Sequence, residues 1–403
     1  MCLRTVFGID VSKSTSNIAI LVNSNKVREY KINNDRIGFG QLEHDLRMVT
    51  NPEIVFEATG VYSRRLAHFL QNINFSYIQL NPLQAKKELD GLRINKTDEN
   101  DAFHLAETQF RLNRQRTLLQ NPVYSELMNE SRFYQEQVID FVSEKNRLHR
   151  ILQLTFPEIE QIMSAPTGPL YWNLVTEFPI PSEVRKFNID QLSAIVLECS
   201  EGRAGIKKSN EIALRLKRLS DLAVSCVDSD SLTIYQVKHT TSRLMEIDKL
   251  KKNIIKSMEK LCTKLPEFKS LCSIPGISTI TAVSLIAEIG DIRRFHNTNQ
   301  INAYIGIDIR HRASGKTEMP DRISKRGNPY ARKILYKTIL NMVSISRYQP
   351  THINDYYQKK KQSSQNETKK IAIASISRLI RTIYHLVIKN ETYDYKIASH
   401  ARH

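Results

Sequence analysis

Four carboxylates stand where an acidic side chain is out of keeping with its neighbours. Asp10 closes the apolar run Val6-Phe7-Gly8-Ile9 and precedes Val11-Ser12-Lys13; Glu57 closes Ile54-Val55-Phe56. A carboxylate in an apolar strand is costly to bury alone, so it wants a cation, a metal or a hydrogen-bond network. Asp98 and Asp101 lie three residues apart at the start of a helical pattern, which puts both on one helix face. Brought together, the four would offer oxygen ligands to hard divalent cations, and magnesium is the one that keeps waters and bridges to phosphate. Two such ions about 3.5–4 Å apart activate a nucleophile and stabilise the leaving oxygen of a phosphodiester. Each acid also has a plainer use. Asp98 suits the positive end of a helix capped by Thr97, Asp101 a solvated helix face, and Glu57 a strand end at the surface. His104, one turn beyond Asp101, fits the cluster or an ordinary surface position.

A second chemical region spans 310–337. It carries Arg310, Arg312, Lys316, Arg322, Lys325, Arg326, Arg332, Lys333 and Lys337 against only Glu318 and Asp321, with Gly315, Gly327 and Asn328 as turn residues. That density suits a grip on phosphates, with Lys316, Arg322, Lys325, Arg326 and Arg332 as the candidate contacts, ahead of a merely solvated basic face. Ser314, in Ala313-Ser314-Gly315-Lys316, is a candidate nucleophile. A serine hydroxyl is weak unless a base or metal activates it, so chemistry alone favours a turn serine there. Ser324, in Ile323-Ser324-Lys325-Arg326-Gly327-Asn328, is an equal candidate on those terms and more simply caps a turn.

Elements must position these groups. Residues 1–112 read as three strands, helix, strand, helix, strand, helix: an α/β unit with an antiparallel first half and parallel later strands. Residues 113–264 read as almost wholly helical, with a break through Pro166, Gly168, Pro169 and Pro179. Val237, Leu244, Ile247, Ile254, Met258 and Leu261 repeat at coiled-coil spacing, which serves either a dimerising arm or packing within the chain. Residues 265–345 hold Ser273-Ile274-Pro275-Gly276-Ile277 between two helical patterns, in the manner of a helix-hairpin-helix whose backbone N–H groups meet a phosphate. Residues 346–403 form a basic helical tail with Lys359-Lys360-Lys361. The expected architecture is therefore multidomain, α/β followed by α.

The totals agree with such a protein. The 403 residues exceed one core, and a composition 41% hydrophobic and 25% charged is that of a globular chain. A net charge of +17 attracts a polyanion. No signal peptide and no run of about eighteen apolar residues is evident, so no membrane partner is expected. Cys2, Cys199, Cys226, Cys262 and Cys272 are scattered, which indicates neither a disulfide frame nor a zinc site and fits a reducing cytoplasm.

Taken in order, GIDVSK, FEATGVY, NKTDENDA, SIPGI, ASGK and ISKRGNPYAR resemble the DEDD transposases of the IS-one-ten insertion-sequence family, across roughly 1–112 and 265–392. The resemblance implies a ribonuclease-H-like (RuvC-like) domain, a helical or coiled-coil linker and a small, mostly helical transposase domain. It carries the family's acidic ligands onto Asp10, Glu57, Asp98 and Asp101, for Mg2+ with Mn2+ able to substitute, and its nucleophile onto Ser314. The serine is expected to link covalently to DNA, with a partner subunit completing the site. Further implied are double-stranded DNA at element ends and target, a structured guide RNA, and a homo-dimer or tetramer acting on the prokaryotic nucleoid in the cytoplasm. Two departures stand out: Lys316-Thr317-Glu318 follows Gly315 where relatives have a longer Gly-rich run, and Asp321 stands where glycine is frequent.

The same residues leave other readings open. A metal-dependent junction endonuclease would use water in place of Ser314, and a non-catalytic nucleic-acid-binding protein would hold the carboxylates structurally. Gly8-Ile9-Asp10 also resembles the opening of sugar-kinase and actin-like ATPase domains. No Gly-rich phosphate loop follows it, which disfavours ATP.

Overall fold

A computed structural model of the chain describes residues 3–80, 98–117, 120–314, 317–363 and 367–400; the side chains of residues 98–100, 310–314 and 317–321 fall outside that description. Two compact units divide it, residues 1–119 and 120–403.

The first unit runs β1 (Thr5–Val11), β2 (Thr15–Val22), β3 (Asn25–Asn33), α1 (Arg36–Arg47), β4 (Glu53–Glu57), α2 (Tyr62–Asn72), β5 (Ile78–Leu80) and α3 (Asp98–Leu112). Among the described residues this is the element order expected from the sequence. The sheet order is β3-β2-β1-β4-β5. Strands β1, β2 and β3 pair antiparallel, whereas β1–β4 and β4–β5 are parallel. Asn23 and Ser24 turn β2 into β3 with φ of 47° and 69°, the positive values that a two-residue hairpin needs.

Strand alternation sends apolar side chains to both faces. Phe7, Ile9, Ile54 and Phe56 bury one face under Leu42 of α1 and Leu66 of α2. Val6, Val55 and Ile78 bury the other under Ala102, Leu105 and Ala106 of α3. Gly8 fixes how closely α3 approaches: a Cβ there would lie 2.0 Å from the Ala102 carbonyl oxygen and 2.8 Å from the Ala106 nitrogen. Only a residue without a side chain lets helix backbone rest on strand backbone.

A polar clamp sets the helix direction. At the start of β1, Arg4 donates to Glu53 at 2.6 and 3.0 Å and to the Gln109 carbonyl at 3.2 Å, and the Gln109 amide donates to Glu53 at 2.6 Å. The C-terminal half of α3 is thereby held at the N-terminal ends of β1 and β4. Its first residues lie at the strands' C-terminal ends.

The second unit opens with α4 (Pro122–Thr155) and a 3-10 turn (Pro157–Gln161). Five helices follow: α5 (Pro169–Glu177), α6 (Pro181–Arg185), α7 (Ile189–Cys199), α8 (Ile206–Leu222) and α9 (Leu232–Cys262). Next come α10 (Pro266–Cys272), α11 (Thr279–Ile289), a 3-10 turn (Ile292–Arg294) and α12 (Thr298–Ile305). The hairpin β6 (Ile309–Ser314) and β7 (Thr317–Ile323) precedes α13 (Pro329–Ile345), α14 (His352–Ser363), α15 (Thr368–Lys389) and α16 (Tyr395–His400).

Helices α4 and α9 lie antiparallel along their length. Tyr124 and Leu127 share a core with Ile254 and Met258, while Leu148 and Leu152 share another with Val237 and Leu244. The heptad seam is thus packed against α4 of the same chain, the second of the two uses its spacing allowed. Helix α15 is long and apolar enough to cross a membrane, contrary to the expectation from apolar run length. Its Ile376, Leu379 and Ile380 are nevertheless buried in the core of this unit.

Two outcomes follow from the α3 contacts. Gly8→Val should lower unfolding free energy by roughly 3 kcal/mol through overpacking, read by denaturant titration. Hydrogen bonds from Arg4 hold the Glu53 carboxyl below its ordinary value, against partial burial that opposes them. A carboxylate with a depressed folded pKa stabilises above its unfolded value, about 4.3, and that contribution drains as pH falls through the folded value. The melting-temperature gap between wild type and Glu53→Gln should therefore narrow from about pH 6 to about pH 3; a constant gap would count against the clamp.

Candidate active site

Asp10 and Glu57 emerge as neighbours from the parallel ladder. Ile9 pairs with Phe56, so each acid lies one register step beyond that pair. By alternation both fall on the face of Gly8 and Val55, the face that α3 covers. Because Ala102 sits over Gly8, the turn carrying Asp98 and Asp101 lies towards Asp10. Asp10, Glu57 and Asp101 are each half-buried. The Asp98 side chain lies outside the described residues, as does Thr97, its candidate cap. Among the described residues, no three His, Cys, Asp or Glu side chains are grouped closely enough to hold an ion. The structure therefore brings three of the acids to one end of one face and does not itself close a metal cage. His104 Nδ1 lies 3.3 Å from Glu107.

Cations also gather at this end, and the sequence reading passed them over. Lys13 follows the end of β1, and Arg64 and Arg65 occupy the first turns of α2, just after β4; all three are exposed. The Thr59 hydroxyl donates to the Val11 carbonyl at 3.2 Å and ties the two loops together. The available signal was positional: basic residues within a few places of a strand-end acid.

In the second unit, Ser314 pairs with Thr317 at the end of the β6–β7 hairpin, and Arg310 stands opposite Arg322. The hairpin was not expected in a mostly helical domain. The side chain of Ser314, together with Gly315 and Lys316, lies outside the described residues. Arg322, Lys325 and Arg326 are exposed.

The segment after the hairpin is built chiefly by backbone contacts. A Cβ on Gly327 would lie 2.1 Å from the Tyr304 carbonyl oxygen. Lys325, at φ 56°, donates its N–H to the Gly306 carbonyl at 3.0 Å. Ser324 donates to Asp308 at 2.5 Å, the turn-holding use foreseen for it. Arg332 donates to the Ile305 carbonyl at 2.6 Å and so caps the end of α12. Asn328 caps α13 through the N–H groups of Tyr330 and Ala331, at 2.9 and 3.2 Å. Its amide also donates to the Glu288 carboxylate at 2.8 Å.

Glu288 is 1% exposed. Arg132 of α4 stands 3.6 Å from it and lies over the Tyr330 ring at 5.2 Å. A buried carboxylate thus joins α4, α11 and α13 around the loop. Gly276, at φ 89°, presses against Met342 of α13, so packing accounts for the glycine of the helix-hairpin-helix segment.

A mixed sheet with strand-end carboxylates, followed by a basic hairpin on a helical unit, has the character of a polynucleotide-processing enzyme. Residues 7–157 match the family model for the DEDD transposases of IS110, and residues 269–358 match that for the transposase IS116/IS110/IS902 family. The chain belongs to the IS110-family transposases. Transposases and DNA-inverting recombinases are enzymes that cleave and rejoin DNA.

Individual relatives agree. The chain is 46% identical over 63 residues to the transposase for insertion sequence element IS1111A of Coxiella burnetii, a match spanning 16% of this chain and 17% of that one. It is 22% identical to the pilin gene-inverting protein of Moraxella lacunata over 405 residues, 98% of this chain and 99% of that one. Its counterpart in Moraxella bovis is 22% identical over 403 residues.

Asn328→Ala should cost about 1 kcal/mol for the lost cap and a further 1–3 kcal/mol for the hydrogen bond removed from buried Glu288. Chemical denaturation would read this as a loss of roughly 2–4 kcal/mol; a change within error would refute the role assigned to Asn328.

Proposed function

We propose that this transposase recombines DNA with a ribonuclease-H-like carboxylate site and the Ser314 nucleophile. The observation that carries the reading is the register step placing Asp10 beside Glu57, at the end of the sheet where α3 begins. The donor chemistry fits a hard cation: all four groups offer oxygen, and the partial positive charge of a helix N-terminus favours anionic ligands nearby. Asp10, Glu57, Asp98 and Asp101 would hold Mg2+, or Mn2+ in its place. Bound there, the ion would polarise the scissile phosphate and acidify a nearby hydroxyl.

The chain's own residues do the rest. Ser314 Oγ attacks phosphorus, and a Ser–O–P bond forms as the P–O bond to the departing DNA strand breaks. The serine proton passes to a carboxylate or water of the site, and the departing oxygen gains one. The phosphodiester's bond energy is kept in the phosphoserine, so a second DNA hydroxyl can reverse the exchange on a new strand. Lys13, Arg64 and Arg65 would neutralise the scissile strand, while Lys316, Arg322, Lys325 and Arg326 would hold backbone beside the serine. A partner subunit in a dimer or tetramer would complete each site, and a structured guide RNA would select the DNA. We further propose that the work is divided among a catalytic domain at 1–112, a helical region at 113–264, a transposase domain at 265–345 and a basic tail at 346–403, acting on nucleoid DNA in the cytoplasm.

Asp10→Asn and Ser314→Ala should each abolish recombination while thermal melting and duplex affinity stay near wild type. Wild-type protein should leave a denaturation-resistant protein–DNA adduct that Ser314→Ala lacks. Cleavage without an adduct would replace the serine by water, and full recombination by Ser314→Ala would remove the serine mechanism.

A further inference from the structure

The cleft between the far end of α4 and the start of α9 has an open surface of unusual make-up. Arg147, Arg150, Ile151 and Leu154 line it from one helix, and Tyr235 and His239 from the other, around a volume of about 450 Å³. Among the described residues, no carboxylate lines it. The spacing of three and four residues puts each set on one face of its helix. Tyr235 is 65% exposed, while Val237, two places on, is fully buried. The Tyr235 and His239 rings are stacked, with centroids 6.1 Å apart and planes 13° from parallel. Arg147 is paired with Glu144 at 2.6 Å. Arg150 is exposed and has no ion pair among the described residues.

An exposed aromatic ring beside an open apolar floor offers a flat face on which a second ring can stack. Flat aromatic faces flanked by guanidinium groups are how proteins hold unpaired bases: the base stacks and the adjoining phosphates meet the cations. A duplex cannot use such a site, because its bases already stack on one another. A second copy docking face to face would oppose the same two arginines. We propose that this cleft binds an unpaired nucleotide of a single-stranded nucleic acid, its base on the Tyr235–His239 platform and its neighbouring phosphates on Arg147 and Arg150. The site would lie outside the carboxylate and hairpin machinery and needs no metal.

The test uses the full chain with fluorescent oligothymidylate and oligouridylate of about ten nucleotides, and a duplex of the same length. Tyr235→Ala should weaken single-strand binding about tenfold or more, with Tyr235→Phe close to wild type and duplex affinity unchanged. Arg147→Gln with Arg150→Gln should lower the slope of log affinity against log salt by about one to one and a half. Iodouracil-substituted strands, irradiated in complex, should crosslink to the peptide containing Tyr235. A stronger effect on one oligonucleotide assigns the ligand as DNA or RNA. Equal losses on single strand and duplex, no loss on either, or crosslinks only elsewhere would overturn the proposal. So would a Tyr235→Ala variant whose sedimenting mass falls while oligonucleotide binding holds, since the cleft would then seat a second copy. Binding retained by Ser314→Ala and Asp10→Asn would keep this site standing whatever becomes of the recombination chemistry.

Discussion

Backbone meets backbone at Gly8, and the candidate chemistry of the first unit depends on that contact. A helix resting on a strand at van der Waals distance has little freedom to slide, because each step would drive Ala102 or Ala106 into the next side chain of β1. Arg4, Glu53 and Gln109 fix the opposite end. With both in place, the first turn of α3 has one position along the sheet, at the end where β1 delivers Asp10 and β4 delivers Glu57. The helix also points the positive end of its dipole there, which lowers the cost of gathering like charges in a half-buried space. Geometry and electrostatics thus favour the same end of the sheet.

The second unit solves a different problem: holding an exposed cationic loop in one shape. The loop carrying Lys325 and Arg326 has almost no core of its own. Its form comes from Gly306 and Gly327 in mutual contact, from Asn328 joining a helix cap to Glu288, and from Arg332 closing the end of α12. Burying the Glu288 carboxylate is expensive, and Arg132 and Asn328 offset part of that cost. Because Arg132 belongs to α4, the long helix is tied to the loop as well as to α9. The loop is rigid for reasons separate from its charge, which leaves Arg322, Lys325 and Arg326 exposed.

Much of the first unit was legible because its signals are local and strong. Val6–Ile9 and Ile54–Phe56 are short apolar runs ended by an acid, and Asn17–Val22 is followed by a polar turn; such runs specify strands whatever surrounds them. The β6–β7 hairpin was not legible. Its strands are rich in arginine, pair Arg310 with Arg322 and carry a register shift, so neither alternation nor a turn dipeptide marks them. For Arg332 the sequence records the charge and not the helix end to which its guanidinium donates. The heptad seam was correctly seen as a seam, yet period alone cannot tell whether the complementary helix comes from the same chain or another. Here α4 supplies it.

The helical lobe between the two long helices shows how an interval can matter without a family signature. The family models match 7–157 and 269–358, and the lobe's helices α5 to α8 lie between those stretches. Alignment with the pilin gene-inverting protein of Moraxella lacunata nevertheless runs across 98% of this chain. The lobe has its own core around Trp172, Phe156 and Leu216, so it is a folded body and not a linker. The helices α4 and α9, each more than thirty residues long, tie it to the rest of the unit. Two such helices packed along their length resist bending, since any bend must break contacts on one face of the pair. A ligand held at the far end would therefore be held at a fixed distance from the basic loop. The antiparallel pair then acts as a spacer, and its length becomes a functional quantity.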